Sequence, residues 1–281
     1  MNKAVVATAS VAAFTVTFFS WQLWRIDIQS QSQAGAHIET RPPGTAHAKT
    51  LKTNHYRLYY TATDEQAKSV GLAAEKLFEA YTALFQASTS GTNEKLTLVL
   101  YRHRAEFKRN NKSRPWAEAF YLWPNCYAYY DAANPSSYHW MLHEATHQLS
   151  AEVSDYKRNL WIEEGLASHF ATSRLSEEKL EPGEIDWRTY PAWGMRALAM
   201  GRSSSLNARP PRLIPLEQLL VNQGGGSVDE RFNLYYLSAW SLTHFLMHFE
   251  GGKYFDGYKR YLASSGSLQE FAAKIGPLGG I

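Results

Sequence analysis

The sequence contains few of the features that would point to a disulfide-rich, nucleotide-binding or repeat protein. It has a single cysteine, Cys126, among 281 residues, so it can form neither an intrachain disulfide nor a zinc cluster built on several thiolates. The formal net charge is only +3, which makes no strong case for nucleic acid or an anionic surface as partner. The run Gly224–Gly226 lacks the following Lys-Ser/Thr of a phosphate loop. No internal repeat is evident.

The composition is that of an ordinary folded chain, with 44% apolar and 14% aromatic residues, which is enough for one or two domains. Alternating and helical patterns predict an α+β protein with a small mixed sheet near the N-terminus and an all-helical C-terminal part. We expect an α/β part over residues 51–175 and a helical part over residues 176–281. The acidic, polar stretch Glu177–Asp186, which contains Pro182-Gly183, is expected to be a loop at their boundary. The predicted strands are His55–Thr63, Lys95–Tyr101, Ala119–Trp123 and Cys126–Asp131. The predicted helices are one from Asp64, then Tyr138–Ser150, a stretch from Trp161, Trp193–Met200, Leu216–Val221 and Phe232–Phe249.

The first 25 residues read as a targeting or anchoring segment. Lys3 precedes an apolar run from Ala4 to Trp24, which is long enough to span a bilayer core, and Trp21 and Trp24 are suited to the membrane interface. We expect an uncleaved signal anchor over residues 1–25. The alternative is a cleaved signal peptide, although the only small-residue cleavage pattern, Ala34–Ala36, comes late. Either interpretation places the folded part outside the cytoplasm, and residues 26–50 read as an extended linker.

The most informative stretch is His143-Glu144-Ala145-Thr146-His147. Histidines four residues apart lie on one face of a helix, where both imidazoles can bind one Zn²⁺. A glutamate between them lies close enough to accept a proton from water at the metal. The alternative is a solvated helix with two ordinary histidines.

A catalytic zinc usually has a third protein ligand. The metzincin pattern fails, because Ser150 and Val153 stand where its glycine and third histidine would be. Downstream, a second helical stretch carries Glu163 and Glu164, either of which could face the histidines. Acidic residues are also common in first helical turns for purely electrostatic reasons, and spacing does not decide between the two.

The pair HEATH and Trp161-Ile162-Glu163-Glu164-Gly165-Leu166-Ala167 resembles the gluzincin metallopeptidases, the clan of thermolysin and aminopeptidase N. Closer still is the similarity to a bacterial family of unknown function in that clan. The resemblance implies a thermolysin-like catalytic core and makes Glu164, directly before the glycine, the third zinc ligand.

The resemblance has two further implications, and the chain departs from it at one position. It implies that Tyr236 stabilises the oxyanion of the reaction, whereas the alternative is a core tyrosine. It also implies an edge strand that aligns substrate, with Tyr127–Tyr130 as candidates for the cleft wall. The chain departs from thermolysin-like enzymes at Ser168, where those enzymes carry an aspartate that orients a zinc histidine.

Other polar groups are expected to be structural. His244 and His248 are four residues apart but have no glutamate between them and lie among apolar residues, which favours packing over a second metal site. His169 lies on a different face of its helix from Glu164 and is not expected to bind the same metal. The basic segment Arg102–Arg114 is typical of a solvated helix face.

The sequence therefore predicts an exported zinc metallopeptidase that acts on peptides or proteins and binds one Zn²⁺ through His143, His147 and Glu164, with Glu144 as general base. No residue is identifiable as a binder of a substrate's free amine, so endo- and exopeptidase action are both compatible with the sequence. One alternative is a non-catalytic binding or scaffold protein that keeps the fold. Another is an anchored basic module that binds anionic polymers through Arg102–Arg114.

Overall fold

The computed structural model describes residues 41–86, 95–111, 117–133, 136–154, 156, 159–199, 213–221, 231–264 and 266–277. The predicted N-terminal anchor and most of the predicted linker, residues 1–40, lie outside this set. Within it, no helix combines the length and apolar character needed to cross a bilayer.

The described residues form an α+β fold, as predicted. A mixed five-stranded sheet has the order β1-β2-β3-β5-β4, with β2, β3 and β5 parallel and the two outer strands antiparallel to their neighbours. Its strands are β1 (Lys49–Lys52), β2 (Tyr56–Tyr60), β3 (Leu96–Tyr101), β4 (Phe120–Leu122) and β5 (Asn125–Tyr129). A separate antiparallel pair is formed by β6 (Ser173–Leu175) and β7 (Leu180–Ile185).

Helices surround the sheet and make up most of the C-terminal part. They are α1 (Asp64–Phe85), α2 (Arg104–Asn110), α3 (His139–Glu152), α4 (Leu160–Ala171), α5 (Ala192–Ala199), α6 (Leu216–Val221), α7 (Arg231–His248), α8 (Phe255–Leu262) and α9 (Leu268–Lys274). The first begins with a capping box in which Thr63 and Gln66 satisfy each other's backbone N–H groups. This local chemistry explains why the helix starts at Asp64, as predicted.

The folded part begins earlier than residue 51, where it was predicted to start. The Arg41 guanidinium donates hydrogen bonds to the carbonyl oxygens of Thr45 and Ala48 at 3.1 and 2.7 Å and lies over the ring of Tyr59. Thr45 and Ala48 are buried. Residues 41–50 of the predicted linker are therefore packed against the sheet, because Arg41 ties their carbonyl groups together.

The C-terminal part is not all-helical as predicted, since β7 lies within the stretch that looked like an acidic loop. Its Pro182 and Gly183 fall in an irregular region of the pairing, between Ser173↔Ile185 and Arg174↔Glu181. Proline and glycine are tolerated in strands at such bulges. A loop-like composition therefore concealed a strand.

The two predicted parts share one hydrophobic core. A single cluster of buried side chains runs from Tyr56 in β2 through Leu142 in α3 and Trp161 in α4 to Phe271 in α9. Within this core, α4 packs between α3 and α7. The three helices that carry the predicted site residues are thus positioned by packing from both parts of the chain.

Candidate metal centre

The HEATH stretch lies in α3, which begins one residue later and ends two residues later than the predicted helix Tyr138–Ser150. Met141, Leu142, Ala145 and Leu149 form its buried apolar side, while His143 and His147 stand one turn apart with ring centroids 5.0 Å from each other. Gln148 fixes the helix to the sheet, since its amide donates to the carbonyl oxygens of Pro124 and Thr97 at 2.7 and 3.2 Å. The histidine pair is therefore presented by a helix with little freedom to shift.

Helix α4 brings Glu164 to the histidine pair. The helix can lie close to α7 because residue 165 is glycine: a Cβ there would fall on the Thr243 hydroxyl and 2.8 Å from the carbonyl oxygen of Ala239. Glu163 is only half-buried, and although its charge reaches His147, its carboxylate does not belong to the group of ligand atoms that includes Glu164. The structure thus selects between the two glutamates that spacing left open, and it places Glu164 at the histidines.

His143, His147 and Glu164, called the HExxH cluster below, form a group that could hold a metal ion. Their ligand atoms all lie within 4.8 Å of one another. Glu164 Oε2 is 3.3 Å from His143 Nε2 and 3.6 Å from His147 Nε2. Two ligand atoms bound tetrahedrally at about 2.0–2.1 Å from one zinc would be about 3.3–3.4 Å apart. The donor types and spacing fit such an ion.

The cluster is almost dry, and its charges are strongly coupled. The side chains of His143, His147 and Glu164 are 10%, 14% and 8% exposed. Burial alone would lower the pKa of His147, but the adjacent Glu164 carboxylate outweighs this and raises it to about 9. Burial would raise the pKa of Glu164, but the two histidines hold it well below its ordinary range. The cluster therefore attracts positive charge, which a proton or a metal ion can supply.

Glu144 lies on the same helix as the two histidines and is buried. Burial raises the pKa of its carboxyl group, and the nearby Glu164 charge adds to this, while the two histidines and a backbone hydrogen bond from Tyr121 act in the opposite direction. A buried carboxylate with a raised pKa beside a candidate metal centre is suited to accept and return a proton.

The edge strand beside the centre is β4, and this corrects the prediction that assigned the cleft wall to Tyr127–Tyr130. β5, which contains Tyr127 and Tyr129, lies inside the sheet between β3 and β4. Both tyrosines pack with Phe107 in a separate cluster. β5 pairs with β3 on one side and with β4 on the other, so neither of its sides is free for a substrate. The outer side of β4, in contrast, faces the centre, where the Tyr121 N–H donates a hydrogen bond to Glu144.

Tyr236 lies beside the HExxH cluster, with its ring centroid 6.3 Å from that of His143. Burial, with the Glu164 charge, raises the pKa of its hydroxyl well above the ordinary value, so this group is neutral at physiological pH. Tyr190, which the sequence analysis did not single out, lies 5.9 Å from Tyr236 between ring centroids. No motif or periodicity marks Tyr190, and only the fold brings it here.

Ser168, which replaces the expected aspartate, is fully buried on α4. Its hydroxyl oxygen has no hydrogen-bond partner among the residues that the structure describes. The serine therefore does not reproduce the aspartate's contact with a zinc histidine. Cys126 lies below α3 in β5, where its thiol donates to the carbonyl oxygen of Glu144 at 3.2 Å, and burial raises its pKa.

A second group of metal-binding side chains was not expected. His169 of α4 meets His244 and His248 of α7, and the ligand atoms of the three lie within 4.8 Å of one another. We call this group the triple-histidine cluster. The spacing of His244 and His248 gave a signal, but His169 lies 75 residues earlier in the chain than His244, and sequence alone does not connect them.

The basic segment Arg102–Arg114 is largely occupied by internal contacts where it is described. Glu118 binds both Arg104, at 2.5 Å, and Lys108, at 3.0 Å, and Phe107 between them is buried in the core. These pairs favour the structural interpretation of the segment over a surface for anionic polymers.

Sequence comparison relates the helices that carry both clusters to a known family. Residues 139–265 match the profile of a family described as "Protein of unknown function (DUF1570)". The match begins at the first residue of α3 and includes α4 and α7, so every histidine and glutamate of the two clusters falls within it. No curated protein matched the chain.

Proposed function

We propose that this protein is a zinc-dependent metallopeptidase with a thermolysin-like catalytic core. The observation that carries the proposal is the HExxH cluster, with Glu144 buried on the same helix as its two histidines. Two imidazoles and one carboxylate are a donor set typical of catalytic zinc sites, which keep a further position for water or substrate. Zinc bound there would lower the pKa of a water molecule and polarise the carbonyl of the scissile peptide bond.

Glu144 is the general base in this proposal. It takes a proton from the attacking water and later delivers it to the amine that leaves when the peptide C–N bond breaks. Its raised pKa favours proton uptake from water, because it makes the carboxylate a stronger base than an ordinary glutamate. The Tyr121 N–H, which binds the carboxylate, keeps it oriented.

Tyr236 is proposed to donate a hydrogen bond to the oxyanion that forms on the attacked carbonyl. Its neutral hydroxyl and its position against His143 support this role. Tyr190 packs against Tyr236, and the Glu164 charge reaches its hydroxyl, so it is a candidate for contact with the substrate.

A peptide or protein is the substrate class that the surroundings of the cluster favour. β4 is an edge strand, and an extended peptide can add to such an edge through backbone hydrogen bonds. Leu122 and Trp123 at its end are 46% and 39% exposed, which offers apolar surface to side chains of a bound peptide. The N-terminal apolar run supports export, with residues 4–24 as a membrane anchor on the extracytoplasmic side or as a cleaved signal.

Metal content tests the first half of the proposal. The full-length chain is purified without chelator, dialysed against zinc and then against metal-free buffer, and analysed beside Glu164→Ala and the matched control Glu163→Ala. We expect Glu164→Ala, and not Glu163→Ala, to lose an equivalent of zinc, because only the Glu164 carboxylate belongs to the group of ligand atoms. Equal zinc content in all three proteins would rule out Glu164 as a ligand.

Hydrolysis tests the second half. A peptide library is incubated with the wild type and with Glu144→Gln, which preserves the shape of the side chain but cannot accept the proton. Cleavage by the wild type alone, with zinc retained by both, is the expected result. Zinc binding without cleavage by either protein would instead indicate a binding or scaffold protein that keeps the fold.

A further inference from the structure

We propose that His169, His244 and His248 form a second metal site, for zinc or another divalent transition ion that prefers imidazole ligands. The site is separate from the HExxH cluster: the two share helix α4, but the other two ligands here come from α7 and not from α3. The proposal rests on the arrangement of these three rings and does not depend on peptidase activity.

The first argument is distance. His169 Nε2 and His248 Nε2 are 3.3 Å apart, and the ligand atoms of all three residues lie within 4.8 Å of one another. Imidazole nitrogens bound tetrahedrally at about 2.0–2.1 Å from one zinc would be about 3.3–3.4 Å apart. The separation between His169 and His248 therefore matches that of two ligands of a single ion.

The second argument is hydrogen bonding. Two neutral imidazoles can share one hydrogen bond, which accounts for His169 and His248 without a metal. It does not account for His244, whose Nδ1 is buried and has no hydrogen-bond partner in the part of the chain that the structure describes. Buried polar atoms are nearly always satisfied, so the third ring points to a ligand that the described residues do not supply.

The third argument is that the backbone of β7 leaves room for the ring of His248 only because residue 183 is glycine. Gly183 in β7 lies under this ring, with a φ angle of +98°, and a Cβ at that position would be 2.7 Å from Cε1 and 2.8 Å from Nδ1 of His248. Any side chain at residue 183 would push the ring away from its two partners. His244 is held on its other side by the parallel ring of Trp240, at 5.8 Å between centroids.

The protonation state supports the same conclusion. Burial lowers the pKa of all three histidines, with His244 at about 4, and their mutual repulsion lowers the pKa of His169 and His244 further. The rings are therefore neutral at physiological pH, which is the form that binds metals. Imidazole is a favourable ligand for zinc, copper and nickel and a poor one for magnesium or calcium.

An ion at this site would clamp two segments together. His169 lies near the C-terminal end of α4, and His248 is the last residue of α7. His169 is buried, whereas His244 and His248 are partly exposed, so a fourth position open to water is available on their side. We assign the site a structural role in holding α7 against α4.

The test is the metal content of the full-length chain after dialysis against zinc and then metal-free buffer, for the wild type, His143→Ala, His248→Ala, the double variant and the control His47→Ala. His47 is exposed and outside both clusters. We expect each single variant to lose one of the two ions and the double variant to lose both. Loss of a direct ligand should weaken zinc binding by more than the roughly 10–100-fold that loss of an outer contact costs.

The outcomes separate this inference from the proposed peptidase. An ion lost in His248→Ala but not in His143→Ala would support the second site even if the first failed. An ion lost only in His143→Ala, with His248→Ala unchanged from wild type, would overturn the inference. Circular dichroism checks that each variant is folded, and if His248→Ala is not, His244→Gln replaces it and must show the same loss.

Discussion

The HExxH cluster and the triple-histidine cluster are both built on α4, yet their surroundings differ. The first combines two imidazoles with the Glu164 carboxylate, with Glu144 on the same helix as the histidines and two tyrosines nearby. The second has three imidazoles, and the causes of their lowered pKa values are burial and one another. Charge therefore distinguishes the cluster that we propose for proton transfer from the cluster that we propose only binds a metal ion.

The sharpest way to test this distinction is to change Glu144, the buried carboxyl group on the same helix as the two histidines of the HExxH cluster. Glu144→Gln should lower peptide hydrolysis by roughly 10²–10⁴-fold, the usual contribution of a general base, with the metal content of both sites unchanged. His248→Gln should do the reverse, with one ion lost and hydrolysis retained. Turnover and metal content measured on the same samples check this pair, and a comparable fall in hydrolysis in both variants would contradict the division of roles.

A second difference is the tyrosine that lies against the HExxH cluster. Tyr236→Phe removes only the hydroxyl and should lower kcat by roughly 10²–10³-fold, as loss of one oxyanion donor does, with little change in KM. Tyr190→Phe is the matched control and should affect KM more than kcat, because this hydroxyl is proposed to contact the substrate and not the oxyanion. Steady-state kinetics on one peptide distinguish the two variants. An unchanged kcat in Tyr236→Phe would favour the alternative that Tyr236 is a core tyrosine with no role in the reaction.

A glycine lies beside each cluster, and substitution of the two glycines by alanine should have different effects on stability and metal content. Gly165→Ala places a methyl group against a backbone carbonyl of α7 and should lower the free energy of unfolding by about 1–3 kcal/mol or more. Gly183→Ala meets only the ring of His248 and should cost about 1–2 kcal/mol for its left-handed backbone, with loss of the second ion. Urea unfolding of the metal-free proteins measures both. A Gly165→Ala variant as stable as wild type would show that the helices can separate freely.

The smallest expected difference is in pH dependence. The pKa of His147 is raised to about 9, so below that pH a metal ion must displace a proton, and zinc affinity at the HExxH cluster should rise about tenfold per pH unit from pH 7 to 9. The pKa of His244 is lowered to about 4, and no proton competes at the triple-histidine cluster over that range. Competition with a chelator measures zinc affinity against pH, with His248→Ala isolating the HExxH cluster and His143→Ala isolating the triple-histidine cluster. Equal dependence of the two affinities on pH would contradict this prediction.

Much of the first cluster could be predicted from sequence because its geometry is local. Four-residue spacing places His143 and His147 on one helix face whatever the rest of the fold does, and the helix limits follow from the same pattern. Glu164 was chosen over Glu163 by resemblance alone. The structure supplies the physical reason, which is that Gly165 lets α4 approach α7 closely and thereby orients Glu164.

The remaining features depend on contacts between distant segments. His169 reaches His244 and His248 only because α4 and α7 pack side by side, and Tyr190 reaches Tyr236 for a similar reason. The identity of the edge strand depends on which neighbour β5 pairs with, and no local pattern specifies that. Pro182 and Gly183 suggested a loop because their use at a bulge in β7 becomes apparent only when β6 is in place.

The tight contact at Gly165 has a consequence for how metal enters. Zinc fingers are unfolded until the metal arrives, so their binding energy is spent on folding. Here the same core that buries Trp161 and Leu142 already holds α4 and α3 in register, so the HExxH cluster is preorganised. Chelation should therefore leave a folded apoprotein with a fully formed cavity, ready to exchange one ion for another without refolding.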